Sequence, residues 1–477
     1  LGDMHELGAV TEERHRLVGR AAACSGVDGV ARVGERARWI ADEAMREHPG
    51  VVHLDGVEEA AEWLASRLCP GDALLVKGSR LARLERAVAR RHDGGRALIP
   101  WLAELLLGKT APLAANFLGY ITVRGAAALL AAFIISVLLG ERVIALLHRV
   151  KAGQPLRDDR GEGAISLKDM HNQKAGTPTM GGLLMLGSLL AAVALFGDWS
   201  QPVLPLAAAM AVGYAGIGFL DDYRKVRLKD SGGLGARAKL AAQALLAAGF
   251  ATLYATTFSG ATTYEFLSGG EAASTAIVFP FVKEWAFGLG LWYVPYAVFV
   301  LAGTSNAVNL TDGLDGLAAG VTVSATLCFG IVAYMAGRAD MSAYLMIPYV
   351  RGAGELAVLL CALTGACLGF LWWNGYPARV FMGDTGSMMI GGLLGAVALL
   401  LKQEFLLLVA GGVFVAEALS VIIQVTSYKW RRKRVFLMSP LHHHFERKGV
   451  AESHIILRFW IVSALLCLAS LGALKLR

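Results

Sequence analysis

The sequence predicts an all-α polytopic membrane protein of about ten transmembrane helices, with a small α/β fragment at its N-terminal end. Three observations carry this. Of the 477 residues 55% are hydrophobic and only 17% charged, a balance that excludes an ordinary soluble enzyme. From residue 119 onward apolar runs recur at close intervals, and a helix needs about 20 such residues to cross the hydrocarbon core. Residues 1 to 95, by contrast, are charged, mix helical with strand-like patterning and contain no spanning run. The formal charge of +7 would suit a nucleic acid. In a membrane protein, however, basic residues gathered in loops mark the cytoplasmic side, so no nucleic-acid partner is expected. Cys24, Cys69, Cys328, Cys361, Cys367 and Cys467 are scattered without metal or redox spacing and read as small core residues. The first residues are polar and acidic, unlike a cleavable signal peptide.

Within the first 95 residues, 35–47 and 57–68 read as amphipathic helices. Residues 73–76, after Pro70-Gly-Asp, read as a short buried strand. Arg90-Arg-His-Asp-Gly-Gly-Arg96 is a polar, glycine-containing linker, so the chain divides into 1–95 and 96–477. Beyond the linker, 101–107 reads as a short interfacial helix. Spans are expected at 119–147, 180–196, 203–221, 238–258, 288–305, 317–336, 354–372, 386–401, 405–427 and 455–474. The loops at 149–174, 221–239 and 428–448 are strongly basic and all follow odd-numbered spans, which the positive-inside rule makes cytoplasmic. Loops 306–316 and 374–385, rich in acids and asparagine, share that face. With an even span count, both ends of the spanning region face outward.

Asn306-Ala-Val-Asn-Leu-Thr-Asp-Gly-Leu-Asp-Gly316 lies between two apolar runs. Asn306, Asn309, Asp312 and Asp315 recur every third residue, on one side of any helical turn. A carboxylate near the bilayer centre costs roughly 2.5–3.5 kcal/mol, so acids in or beside spans usually serve a metal, a proton or a substrate; the plain alternative is a solvated turn, as Gly313 and Gly316 suggest. Asp221 and Asp222 close the third span, where the helix dipole opposes them. A divalent cation, or the nearby Arg224, Lys225, Arg227 and Lys229, would offset that. In 374–387, Asp384 offers a hard oxygen ligand for Mg²⁺, Gly383 and Gly386 permit close backbone approach to a phosphate, and Phe381 either packs in the core or stacks on a base. His442, His443 and His444 are consecutive and point different ways. Beside Arg431-Arg-Lys-Arg434 they suit phosphate better than zinc. His171, Lys174 and the Thr-Pro-Thr-Met-Gly-Gly run at 177–182 add a cationic, hydroxyl-rich loop. Oxygen ligands and many cations on one membrane face are what Mg²⁺-dependent phosphoryl transfer requires.

Two resemblances cover the chain. Leu1-Gly-Asp-Met-His-Glu-Leu-Gly8 and Asp72-Ala-Leu-Leu-Val-Lys-Gly-Ser-Arg80 resemble the C-terminal domain of MurF ligases, starting partway into that domain and without a P-loop. The resemblance implies a fragment that ligates nothing and belongs in the cytoplasm, at odds with the side that span parity assigns to it. Lys174-Ala-Gly-Thr-Pro-Thr-Met-Gly-Gly182, Asp221-Asp-Tyr-Arg-Lys225, Asn309-Leu-Thr-Asp-Gly-Leu-Asp-Gly316, Gly375–Ser387 and Pro440-Leu-His-His-His-Phe-Glu446 resemble the MraY family, the phospho-N-acetylmuramoyl-pentapeptide transferases, from about residue 97 to the end. That resemblance implies transfer of phospho-MurNAc-pentapeptide from UDP-MurNAc-pentapeptide to undecaprenyl phosphate, giving lipid I and UMP. It places the reaction at the cytoplasmic face of the bacterial inner membrane, commonly in a homodimer. It also implies Asp384 as principal Mg²⁺ ligand with Asp221 and Asp222 beside it, and Asp221 as the group that deprotonates or orients the attacking lipid phosphate. Lys174, Thr179, Asn309 and Asp312 would line the phosphate path. Asp315, Asn374 and Phe381 would hold the uridine, and His442, His443 and His444 would close the site.

Two other functions compete. A polyprenyl-phosphate GlcNAc-1-phosphate transferase would share the acidic loops, but the His-His-His-Phe-Glu and Thr-Pro-Thr-Met-Gly-Gly segments favour the muramoyl donor. A secondary transporter would also carry about ten spans, with acids at mid-span and two repeated halves. Here the acids gather at span ends and no repeat is visible.

Overall fold

A computed structural model describes residues 10–23, 30–34, 37–46, 51–54, 56, 59–60, 63–64, 67, 97–99, 119–150, 176–227, 233–257, 262–263, 275–279 and 286–475. The chain forms two compact units, Leu1–Gly95 and Arg96–Arg477. In the first, α1 (Thr11–Ala23), β1 (Val30–Val33), α2 (Arg38–Ala44) and β2 (Val51–Leu54) form an α/β arrangement, with the two strands parallel and Val30 opposite Val51. Glu43, 6% exposed, accepts from Arg20, Arg16 and Arg46 at 2.8, 3.2 and 3.2 Å, which ties α1 to α2. The helix expected over 35–47 is shorter, because its regular core stops at Ala44. The helix expected at 57–68 is described only in part, with 59–60, 63–64 and 67 helical. The strand at 73–76 and the interfacial helix at 101–107 lie outside the described residues.

The second unit is a helical bundle. Its elements are α3 (Ile121–Arg149), α4 (Gly182–Phe196), α5 (Val203–Arg227), α6 (Ala236–Thr257), α7 (Tyr293–Thr311), α8 (Leu317–Ala336), α9 (Ala339–Leu345), α10 (Ala353–Asn374), α11 (Gly383–Leu401), α12 (Glu404–Ala410), α13 (Gly412–Arg431), α14 (Leu441–Arg447) and α15 (Glu452–Ala473). Among the described residues, α3, α5, α6, α7, α8, α10, α11 and α15 are long and apolar enough to cross a membrane. Helix α4 is apolar but has 15 residues. Helices α12 and α13 pass the same test only together, bent by 85°; the ninth expected span is therefore broken at Gly411 rather than straight. Every expected span falls on one of these elements. Between them, Thr262–Thr263 pairs antiparallel with Tyr349–Val350, and Ala276–Val278 with Ala286–Gly288; these small sheets were not expected.

Helix α11 is the axis of the bundle. Its sequence, GDTGSMMIGGLLGAVALLL, has no charge after Asp384, and its small residues let neighbouring backbones approach closely, as membrane helices require. Nearly all of it is buried, packed by α5, α7 and α4. Because successive spans alternate in direction, the C-terminal ends of α5, α7 and α10 and the N-terminal ends of α6, α8, α11 and α15 share one end of the bundle. That end carries the polar motifs.

Candidate active site

Asp221 and Asp222 lie inside α5, two turns before its end, and Asp384 opens α11. One oxygen from each carboxylate lies within 4.8 Å of the others. The three do different work. Asp222, fully buried, accepts the Asp384 and Thr385 backbone N–H groups at 3.1 and 2.9 Å and the Thr385 hydroxyl at 2.7 Å. It thus caps α11 from a neighbouring helix, satisfying donors that a helix start leaves orphaned. Asp384 Oδ1 accepts from Asn309 Nδ2 at 2.7 Å, and the same amide reaches Ser387 Oγ at 2.9 Å. Asp384 Oδ2 meets Lys239 Nζ at 2.7 Å and Lys225 Nζ at 3.0 Å. Asp221 Oδ1 accepts Leu234 N at 2.7 Å, and its Oδ2 faces the Lys225 and Lys239 ammoniums.

Three carboxylates against two lysines leave one negative charge in a cluster cut off from most solvent. The donors are hard oxygens, the set that Mg²⁺ or Mn²⁺ selects. Thr179 Oγ1 is buried without a hydrogen-bond partner, close to where Gly383 meets Asp222, so a further oxygen donor is unspent there. The residues fit a divalent cation. Asp312 is half-buried; burial of its carboxyl, then the charges of Asp384, Asp222 and Asp315, push it up to about 8, which the charge of a bound cation would oppose.

The structure brings Asp221, Asp222, Asp384, Asn309, Asp312 and Thr179 to one end. Lys174 lies outside the described residues. The periodicity seen in 306–316 extends only over its first half, because α7 stops at Thr311 and Gly316 takes a left-handed backbone. Asn306 therefore turns to Gln243 at 2.9 Å and Asn309 to Asp384, whereas Asp315 Oδ2 accepts Ala378 N at 3.0 Å in a different layer. Asn374, 3% exposed, spends its amide on Val380 O and Gly316 N, at 2.8 and 2.9 Å. Phe381 is half-buried. His442 is fully buried, His443 Nδ1 lies 2.5 Å from Glu446 Oε2, and His444 Nδ1 accepts Leu437 N at 3.1 Å.

Sequence reasoning missed Lys239 and treated Lys225 only as neighbouring charge. A signal was present for Lys239: a lysine in the first turn of an apolar helix opposes the helix dipole and needs an acidic partner. Close packing was less legible. A Cβ on Gly218 would run into the Asp384 carbonyl and the Thr385 N–H, so Gly218 sets the distance between α5 and α11. Gly218→Ala is expected to cost about 1–3 kcal/mol of stability and to lower turnover per folded molecule. Thermal unfolding and an activity assay on the same preparation check both.

A bundle of spans carrying clustered carboxylates, lysines and asparagine at one end is the build of a membrane-embedded phosphoglycosyl transferase. Residues 204–402 match the family described as glycosyl transferase family 4. Residues 174–186 match phospho-N-acetylmuramoyl-pentapeptide-transferase signature 1. The chain is 49% identical over 363 residues to the phospho-N-acetylmuramoyl-pentapeptide-transferase of Oleidesulfovibrio alaskensis, covering 76% of this chain and 96% of that protein. It belongs to the phospho-N-acetylmuramoyl-pentapeptide transferase family, multi-pass membrane enzymes of peptidoglycan synthesis. Residues 1–80 match the Mur ligase glutamate ligase domain.

Proposed function

We propose that this chain transfers phospho-MurNAc-pentapeptide from UDP-MurNAc-pentapeptide to undecaprenyl phosphate, releasing UMP and forming lipid I, at the cytoplasmic face of the bacterial inner membrane. The observation that carries this is the meeting of Asp221, Asp222 and Asp384 with Lys225 and Lys239 at the bundle end where α3, α5 and α13 finish in basic last turns. A phosphate oxygen of the lipid attacks the sugar-bearing phosphorus, and the bond from that phosphorus to the UMP oxygen breaks. Mg²⁺, when bound, neutralises charge growing on the diphosphate oxygens.

The chain's own residues do the rest. Asp384 and Asp221 would be the hard ligands for the cation, and Asp221 would also orient the attacking phosphate or accept its proton. Asp222 holds the start of α11, and hence Asp384, in place. Lys225 and Lys239, paired with Asp384 and Asp221 in this structure, would be the cations that meet the phosphates, with Lys174, Thr179, Asn309 and Asp312 along the same path. Asp315, Asn374 and Phe381 shape the uridine side, and His442, His443 and His444 close it. The experiment is UMP release from UDP-MurNAc-pentapeptide and undecaprenyl phosphate with and without Mg²⁺, with UDP-GlcNAc in parallel. Metal-dependent release from the muramoyl donor alone is expected. Release from UDP-GlcNAc would move the chain to the GlcNAc-1-phosphate transferases.

The N-terminal ligase-like unit is proposed to take no part in this chemistry, since every group named above lies beyond residue 173. Removing residues 1–95 is expected to leave UMP release in detergent within about twofold of the full chain. A larger loss from a folded, monodisperse protein would give the unit a part in transfer.

A further inference from the structure

Helix α13 buries a carboxylate that the scheme above leaves without a task. Glu417 is fully buried in a bent span where an unused charge is expensive. Three groups from the segment 441–442 converge on it. Leu441 N donates to Oε2 at 2.7 Å and His442 N to Oε1 at 3.2 Å, while His442 Nδ1 lies 3.3 Å from Oε2. Helix α14 starts after Pro440, which makes no side-chain cap, so its first N–H groups are satisfied by Glu417 instead. The His442 ring is wedged between this carboxylate and the segment that opens the site. Its opposite edge lies against Gly313, where any Cβ would collide with Nε2. Gly313 is followed by buried Leu314 and preceded by Asp312, so the ring's placement sets where Asp312 stands.

We propose that Glu417 is a positioning residue for the transfer step, capping α14 and fixing His442 against Gly313 so that Asp312 is held toward the phosphate path. The proposal rests on the transferase function given above. The 3.3 Å approach of Oε2 to Nδ1 is an electrostatic contact short of a formed hydrogen bond, and a carboxylate on that side favours the ring proton on Nδ1. It also accepts two backbone N–H groups, each on a different oxygen, Leu441 N on Oε2 and His442 N on Oε1, so both oxygens are committed as acceptors. Glutamine has the same shape but a single oxygen. In Glu417→Gln one buried backbone N–H loses its partner, and the amide NH₂ turns toward Nδ1, reversing the tautomer.

The test compares wild type, Glu417→Gln, His442→Ala, the double variant and Gly313→Ala in the UMP-release assay, with thermal unfolding on each preparation. Wild-type release in the same assay separates this proposal from the function it rests on; without that release, the function itself fails. Glu417→Gln is expected to fold and to lower kcat about 10- to 100-fold, the scale of a misplaced catalytic group, with KM for donor and acceptor little changed. In the double variant kcat is expected to match that of His442→Ala, because Glu417 acts through the histidine. Gly313→Ala, which displaces the ring from its other side with Glu417 intact, is expected to show the same kcat-led loss, and it serves as the test if Glu417→Gln does not fold. Wild-type kcat in either folded variant overturns the proposal, as do losses from Glu417→Gln and His442→Ala that simply multiply.

Discussion

Asp384→Ala is expected to abolish UMP release, with a loss of about a thousandfold or more. The substitution removes the carboxylate on which Lys239 and Lys225 converge, at 2.7 and 3.0 Å, and to which Asn309 donates at 2.7 Å. It also takes one of the two carboxylates proposed above as cation ligands, and among the described residues the third carboxylate within 4.8 Å, Asp222, already caps α11. A bound cation supplies several kcal/mol of charge stabilisation in transition states of this kind, and each 1.36 kcal/mol is a tenfold change in rate. Two half-buried lysines left with fewer acidic partners add to the defect. Mg²⁺ titration of the rate distinguishes the causes. A weakened metal site shifts the midpoint to higher Mg²⁺ and is partly rescued there, whereas a lost positioning charge is not rescued. Turnover within tenfold of wild type at ordinary Mg²⁺ would remove Asp384 from the centre of the site.

Asp222 shows how far that argument reaches into the sequence. That the adjacent pair Asp221-Asp222 and the lone Asp384 belong to one acidic site was legible because charge near spans is expensive wherever it occurs. Their division of labour was not legible. Adjacent residues on a helix point about 100° apart, so only the packing of α5 on α11 decides that Asp222 caps a helix while Asp221 faces two lysines. The spans themselves were readable from hydropathy, since each lipid-crossing helix must carry its own apolar length. Irregularities escaped for the same reason. The 85° break at Gly411 leaves no mark on hydropathy, whereas the turn at Gly316 was signalled by its glycines rather than by hydropathy. Glu417 was hidden inside an apolar run, and its partners lie 24 and 25 residues away. Local patterning carries no information about a contact at that separation.

The Arg124–Glu355 pair belongs to the same unread class and yields the largest expected effect on stability. Arg124 sits in the first turn of α3 and Glu355 in the first turn of α10, both nearly buried, with side chains 9% and 6% exposed. The guanidinium meets the carboxylate through two parallel contacts, Nη1 to Oε2 at 2.9 Å and Nη2 to Oε1 at 2.5 Å. Each partner also holds backbone where α4 ends and turns toward α5: Arg124 donates to Phe196 O at 3.0 Å, and Asp198 N donates to Glu355 Oε2 at 2.8 Å. Three segments of chain, the starts of α3 and α10 and the turn after α4, are thereby joined at the end of the bundle opposite the carboxylate cluster. Glu355→Ala strands a buried guanidinium and is expected to cost about 3–5 kcal/mol, read as a fall in thermal midpoint in detergent. Replacing both partners together, Arg124→Met with Glu355→Leu, is expected to recover most of that loss, because a desolvated ion pair is often no better than well-packed apolar side chains. Turnover per folded molecule should be unchanged in the double variant, since neither residue touches the site. A single-variant cost below about 1 kcal/mol is the range of solvated surface pairs. It would mean that water reaches the pair and that the helices at this end are held by packing alone.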